Sequence, residues 1–206
     1  MGRSAPSPPE GFGISRPSKR TSSGAGPTLE FVSGSVEETQ AFGERLGRLL
    51  GAGDVVALSG ELGSGKTTLI QGIARGSGRD PQTVKSPTFV LQREYPGDLP
   101  LVHVDGYRLA GAEEAAWLDL DLMFAPHKIT VIEWAERFAG LLPEDVLEAH
   151  LSHLSTNRRR ITLQATGPRS MELVRQLSNQ TTSAEGGSAS PARHVDPGPG
   201  RAGGSS

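Results

Sequence analysis

The sequence of 206 residues contains no cysteine. Disulfide bonds, a catalytic thiolate and cysteine-ligated metal sites are therefore excluded, and the fold must be held together by packing. The sequence also lacks any apolar run close to the roughly 20 residues that a membrane-spanning helix requires. These absences favour a soluble, cytoplasmic protein without a membrane partner.

Aromatic residues and excess charge are also scarce. Only 5% of the residues are aromatic, and the net charge is -2 at neutral pH without a long run of like charges. Proteins that coat nucleic acids normally carry a positive excess, because phosphate contacts dominate their affinity. The bulk charge therefore gives no support for direct nucleic-acid binding.

Glycine and proline are abundant but concentrated at the two ends of the chain. Residues 1–28 contain five prolines and six serines, and residues 179–206 contain six glycines and five serines. Such segments bury too little apolar surface to offset the entropy lost on ordering. We predict disordered tails at 1–28 and 179–206, on either side of a single domain at 29–178.

The central segment alternates between strand and helix patterns. Short apolar runs bounded by glycine or ended by an acid predict buried strands, and apolar residues at helical spacing predict helices. The predicted strands cover 29–35, 54–59, 88–95, 101–105 and 129–133, and the predicted helices cover 42–50, 67–75 and 112–124. Segment 88–95 is expected to pair with 101–105, and alternation over 146–165 predicts an antiparallel hairpin at one side of the sheet.

The segment GELGSGKT at residues 60–67 matches the phosphate-binding P-loop pattern. Lys66 is expected to reach the terminal phosphates, Thr67 to offer its hydroxyl to magnesium, and Thr68 to reach the α-phosphate. Small residues before the lysine let backbone N–H groups surround the phosphates, and these are Gly63, Ser64 and Gly65. Because the sequence has no Asn-Lys-x-Asp motif, which reads guanine, the pattern favours ATP.

Strand patterns on either side of this loop indicate the fold class. The loop follows one predicted strand and opens a helix, and two later strands each end in an acid. We predict an α/β, P-loop NTPase-like, three-layer domain with a mixed, mostly parallel sheet and an appended antiparallel hairpin.

Asp105 and Glu133 are the two acids that end predicted strands. A P-loop enzyme needs an acid near its metal ion, and open α/β sheets bind ligands at the carboxyl ends of their strands. The pattern leaves open which acid contacts magnesium, and either could instead cap a helix. Segment 86–89, Ser-Pro-Thr-Phe, fits two roles equally: a switch that senses the γ-phosphate, or an ordinary turn before a strand.

Other polar residues carry weaker predictions. His103 shares a strand face with Asp105 but has no third ligand nearby in sequence, which is typical of a packed or hydrogen-bonded histidine. Arg108 is either an arginine finger or a solvated residue. The arginines at 158–160 either contact RNA phosphates or are exposed on a hairpin turn, and exposure is the more common outcome.

Four motifs in this order and spacing resemble the TsaE (YjeE) family of bacterial ATPases in tRNA threonylcarbamoyladenosine synthesis. They are GELGSGKTT at 60–68, VKSPTF at 84–89, HVDGYR at 103–108 and IEWAE at 132–136, with Ala135 where members usually carry proline. The resemblance covers about 29–170. It implies an α/β P-loop domain with a mixed sheet that hydrolyses ATP with Mg²⁺.

The resemblance also implies roles for individual residues. Lys66 would hold the phosphates, Thr67 and Glu133 would ligate magnesium, and Asp105 would act in catalysis or beside it. Segment 86–89, with Thr88, would be the switch, and Trp134 would lie close to the nucleotide.

The same resemblance implies partners and a process. They are the threonylcarbamoyl-transferase and its paired subunit, which form a heterodimer that modifies adenosine 37 of tRNAs reading codons that begin with adenine. Contact with tRNA would be indirect, and hydrolysis by the isolated subunit would be slow, because no arginine finger is evident. Two other functions stay open: a P-loop small-molecule or nucleoside kinase, and a nucleotide-dependent scaffold without essential hydrolysis.

Overall fold

A computed structural model describes residues 26–185, which form a seven-stranded mixed sheet with helices on both faces. The strands are β1 (Thr28–Ser33), β2 (Val55–Gly60), β3 (Gln92–Tyr95), β4 (Leu101–Asp105), β5 (Ile129–Glu133), β6 (Leu147–His153) and β7 (Arg159–Ala165). The helices are α1 (Val36–Gly47), α2 (Lys66–Gly76), α3 (Ala112–Ala115), α4 (Leu120–Met123) and α5 (Pro168–Glu185). Short 3₁₀ turns cover Pro81–Thr83 and Ala135–Phe138.

The order of strands across the sheet is β1-β7-β6-β2-β5-β4-β3. Strands β6, β2, β5 and β4 are mutually parallel, whereas β7 and β3 run against them and β1 runs against β7. Five of the seven strands therefore point the same way, which confirms the predicted mixed, mostly parallel α/β sheet. The carboxyl ends of β2, β4, β5 and β6 meet at one edge.

Helices α1 and α2 pack side by side on one face of the sheet at unusually close range. A Cβ atom on Gly72 would lie 2.2 Å from the carbonyl oxygen of Gln40, and one on Gly47 would lie 2.2 Å from that of Ile73. Only glycine permits this approach of two backbones. Because the helices are parallel, their N-termini lie together at the edge where the strands end.

The predicted helix at 112–124 is wrong as a single element, since the structure forms the two one-turn helices α3 and α4 instead. Asp119 accounts for the break: its side chain accepts a hydrogen bond from the backbone N–H of Leu122 at 2.9 Å and so caps α4. An N-cap residue has non-helical backbone angles, so the chain cannot continue as one helix.

The strand predicted at 88–95 begins only at Gln92. The backbone N–H groups of Val90 and Leu91 both donate to the carbonyl oxygen of Pro87, at 2.9 and 2.7 Å, which closes a turn. Leu91 has a φ of 63°, a value incompatible with a strand. The antiparallel pairing of the remaining strand, β3, with β4 is confirmed.

The predicted antiparallel hairpin is confirmed as β6 and β7, and it is an integral part of the sheet. Strand β6 pairs in parallel with β2, and β1 covers the outer edge of β7. The hairpin turn therefore lies beside the P-loop.

Helix α5 was missed by the sequence analysis, although Leu173, Val174 and Leu177 supply a buried face at helical spacing. It continues to Glu185, beyond the predicted domain boundary at residue 178. Residues 1–25 and 186–206 of the two predicted tails lie outside the described residues. The last residue of the predicted N-terminal tail, Thr28, is already the first residue of β1. Between residues 26 and 185, no helix is long and apolar enough to cross a membrane.

Candidate nucleotide-binding site

The P-loop connects β2 to α2 and owes its shape to glycine. Gly60, Gly63 and Gly65 adopt φ values of 133°, 79° and 101°, a region that other residues rarely enter. A Cβ on Gly60 would also lie 2.1 Å from the carbonyl oxygen of Leu151 on β6. The loop can therefore curl tightly over the N-terminus of α2, where unpaired N–H groups and the helix dipole favour an anion.

Lys66, the first residue of α2, is only 4% exposed. Its Nζ donates to the carbonyl oxygens of Gly60 and Glu61 at 2.8 and 2.9 Å, and it lies 4.0 Å from the ring centroid of Trp134. Burial lowers the pKa of the Lys66 ammonium, while three nearby carboxylates oppose this shift. The cation is thus held inside the loop by weak acceptors that a phosphate could replace.

Thr67 and Glu133 form the centre of the acidic side of the cleft. The Thr67 hydroxyl donates to the carboxylate of Glu133, at 2.8 Å to Oε1 and 3.0 Å to Oε2. The buried Glu133 Oε1 also lies 3.0 Å from Nε2 of His103, which is fully buried on the neighbouring strand β4. A hydroxyl and a carboxylate at this separation are oxygen donors of the kind that Mg²⁺ prefers, and a buried histidine behind them fixes the carboxylate's orientation.

Asp105 ties segment 86–89 to the sheet. Its Oδ2 accepts hydrogen bonds from the hydroxyls of Ser86 and, at 2.5 Å, of Thr88. Its Oδ1 accepts from the backbone N–H of Tyr107 at 2.9 Å. Because one carboxylate, 2% exposed, orders both flanking segments, any ligand that competes for Asp105 or Thr88 would release the segment that ends at Phe89.

Trp134 directly follows Glu133 and holds a strained backbone. Its φ of 58° lies in the left-handed region, which is costly for a bulky residue. This conformation turns the chain from β5 into the 3₁₀ turn and brings the indole ring over Lys66, 5.1 Å from the ring of Tyr107.

These residues surround an open cleft of about 430 Å³. Its lining includes most of the predicted site: Gly63, Gly65, Lys66, Thr67, Thr68, Thr88, Asp105, Glu133 and Trp134. Ser64 does not line it, because its side chain is fully buried and its hydroxyl has no hydrogen-bond partner within 26–185. Any contribution of Ser64 to ligand binding must come from its backbone.

A second concavity of about 370 Å³ lies on the opposite face of β2, β6 and β7. Ser59, Glu136 and His150 are among its lining residues, and Ser59 Oγ lies 3.0 Å from Nδ1 of His150. None of the residues predicted to bind nucleotide lines it. The residues predicted to bind phosphate and magnesium therefore lie in the P-loop cleft and not in this second concavity.

The remaining candidates have separate positions. The guanidinium of Arg108 lies 4.3 Å from the ring centroid of the exposed Phe89, outside the cleft. Arg160 forms an ion pair with Glu30 at 3.0 Å on the outer strands. Arg159, on the opposite face of β7, reaches the P-loop, a contact that sequence spacing did not indicate because it depends on the pairing of β6 with β2.

Comparisons with known proteins identify the family to which the chain is similar. The family model described as "Threonylcarbamoyl adenosine biosynthesis protein TsaE" matches residues 33–161. The tRNA threonylcarbamoyladenosine biosynthesis proteins TsaE of Treponema pallidum and Bacillus subtilis are 40% and 38% identical to the chain over 135 and 151 residues. These alignments cover 66% and 73% of the chain and 99% and 94% of those proteins. A crystal structure of Bacillus subtilis YdiB superposes with a TM-score of 0.66 at 32% identity, covering 77% of this chain and 99% of that one.

Proposed function

The chain belongs to the TsaE family, and we propose on that basis that it binds and hydrolyses ATP with Mg²⁺ in support of tRNA threonylcarbamoyladenosine biosynthesis. The relatives support the biosynthetic role. The observation that carries the ATP-dependent activity is the convergence of Lys66, Thr67 and Glu133 at the mouth of the P-loop.

Each part of the cleft fits one part of a nucleoside triphosphate. The N-terminus of α2 and the Lys66 ammonium suit the β- and γ-phosphates. Thr67 and Glu133 supply two oxygen ligands for Mg²⁺, whose remaining ligands would come from phosphate and water. When bound, Mg²⁺ would neutralise charge that develops on the phosphates.

The residues of the cleft also suggest how the chain acts during hydrolysis. Asp105 and Glu133 are buried acceptors beside the proposed γ-phosphate position, so either could orient a water molecule. Ser86 and Thr88 connect that position to an exposed segment through Asp105. Their rearrangement would report whether the γ-phosphate is present.

Hydrolysis by the isolated chain is expected to be slow. Among the described residues, no arginine lines the cleft beside Lys66, Asp105 and Glu133, where the γ-phosphate is proposed to lie. P-loop enzymes without such a charge turn over slowly until a partner provides one. We propose that the threonylcarbamoyl-transferase and its paired subunit are these partners, with tRNA contacted indirectly through them.

The test is to measure ATP hydrolysis and threonylcarbamoyladenosine formation with the chain alone, the heterodimer alone and both together. We expect both activities to rise by about tenfold or more only in the mixture, and Lys66→Ala to lose them. Absence of ATP binding by calorimetry would overturn the proposal. A phosphorylated small molecule as product would indicate a kinase, and full modification activity with Lys66→Ala would indicate a scaffold.

A further inference from the structure

Arg159, the first residue of β7, lies beside the P-loop just beyond the residues that line the cleft, on the side away from Glu133. A Cβ on Gly65 would lie 3.3 Å from Cδ and 3.4 Å from Nε of Arg159. The arginine side chain therefore rests against the backbone of the last P-loop glycine. His153, its partner in the β6–β7 register, lies close to Gly63 in the same way, at 4.0 Å from the position of a Cβ.

The hydrogen bonds of Arg159 are sparse. Its Nη1 donates to the carbonyl oxygen of Ser35 and to Oγ1 of Thr39, both at 3.3 Å, which is long for a guanidinium. Its Nε is buried without a hydrogen-bond partner among the described residues. The residue as a whole is only partly buried.

The position of Arg159 relative to the phosphates is fixed by the direction of the cleft. If the proposed function is right, the γ-phosphate end points to Glu133 and Asp105 on β5 and β4. The α-phosphate then lies near Thr68, and the nucleoside must leave the loop on the side away from those acids. That side is formed by the hairpin of β6 and β7 and the N-terminus of α1, which Arg159 bridges.

We propose that the purine base of the nucleotide stacks on the guanidinium of Arg159. The inference rests on the proposed function and deepens it by naming the base-side contact. A planar guanidinium stacks on π systems through cation–π and stacking interactions, which a lysine ammonium reproduces poorly.

The test compares ADP with inorganic tripolyphosphate, which carries the phosphates but no base. Binding of each is measured by calorimetry to the wild type, Arg159→Ala, Arg159→Lys and Arg160→Ala. We expect both Arg159 variants to weaken ADP binding by roughly tenfold and to leave tripolyphosphate binding unchanged. Arg160→Ala, which removes an equal charge from the other face of the same strand, should change neither.

The outcomes separate this inference from the proposed function. If both Arg159 variants lost affinity equally for ADP and tripolyphosphate, Arg159 would be a phosphate contact and the stacking proposal would be overturned. Unchanged affinity for both ligands would also overturn it. A wild type that binds neither ligand would overturn the proposed function itself. If thermal melting shows that Arg159→Ala is unfolded, Arg159→Lys, which keeps a donor for Ser35 and Thr39, decides.

Discussion

The two ends of the P-loop cleft are built differently. At the acidic end, Thr67, Glu133 and His103 form one chain of hydrogen bonds, of which the bond between Glu133 and His103 is buried. Asp105 accepts hydrogen bonds from two hydroxyls and a backbone N–H. At the Arg159 end, the arginine side chain is positioned by two hydrogen bonds of 3.3 Å to α1 and its N-cap, and α1 is positioned by its packing against α2. The end that would meet the metal and the γ-phosphate is therefore organised by side-chain hydrogen bonds before ligand arrives, whereas the end that would meet the base is organised by backbone packing.

The largest effect is expected from breaking the acidic end. Glu133→Gln keeps the volume of the side chain and removes its charge, so the protein should fold while Mg²⁺ loses a ligand. We expect ATP hydrolysis in the presence of partners to fall by about 10²–10³-fold, and ADP binding without Mg²⁺ to stay within a few-fold of the wild type.

A matched control for Glu133→Gln is Glu113→Gln, which makes the same change at an exposed position of α3. It should leave hydrolysis unchanged. Hydrolysis near the wild-type rate in Glu133→Gln would refute the assignment of this carboxylate as a metal ligand.

The base-side end can be disturbed through the helix pair alone. Ala is a better helix former than Gly by about 1 kcal/mol, so Gly→Ala in an unconstrained helix is stabilising. Gly72→Ala should reverse that sign, because its Cβ would meet the carbonyl oxygen of Gln40 at 2.2 Å and overpacking costs about 1–3 kcal/mol. Urea unfolding should show a lower free energy of unfolding. Calorimetry should show that ADP binding is weakened more than tripolyphosphate binding, because Thr39 of α1 and its N-cap Ser35 accept the hydrogen bonds of Arg159.

Gly111→Ala, at the N-cap of α3, is the steric control for Gly72→Ala, because no atom of the described residues other than its chain neighbours lies within 4 Å of its Cβ position. Its effect should stay within about 0.5 kcal/mol. Unchanged stability in Gly72→Ala would mean that the two helices can separate freely, and the contrast between the two ends would then lose its structural basis.

The acidic end was the more predictable from sequence. Strands Leu101–Asp105 and Ile129–Glu133 occur as predicted, because apolar runs ended by an acid are local signals. The hydrogen bond between His103 and Glu133 was not predictable, since it depends on the register of β4 against β5.

The Arg159 end could not be inferred in this way. The contact between Arg159 and Gly65 requires that β6 pair with β2 rather than stand at the sheet edge, and periodicity carries no information about strand order. The prediction of a single helix over 112–124 was wrong for a different reason. Alanine, glutamate and leucine favour a helix there, but the side chain of Asp119 accepts a hydrogen bond from the backbone N–H of Leu122 and so begins a new helix.

The smallest expected effect is spectroscopic and reports on the boundary between the two ends. The sequence has two tryptophans, so Trp117→Phe leaves Trp134 as the single reporter. Its ring lies 4.0 Å from Lys66 Nζ, and phosphate binding should draw that cation off the ring, because phosphate is a stronger acceptor than the loop carbonyls. Fluorescence should therefore change on addition of either ADP or tripolyphosphate, whereas Trp134→Phe, which leaves the 90% exposed Trp117, should respond to neither. A response to ADP but not to tripolyphosphate would mean that Trp134 senses the base, and the division of the cleft into an acidic end and a base end would have to be redrawn.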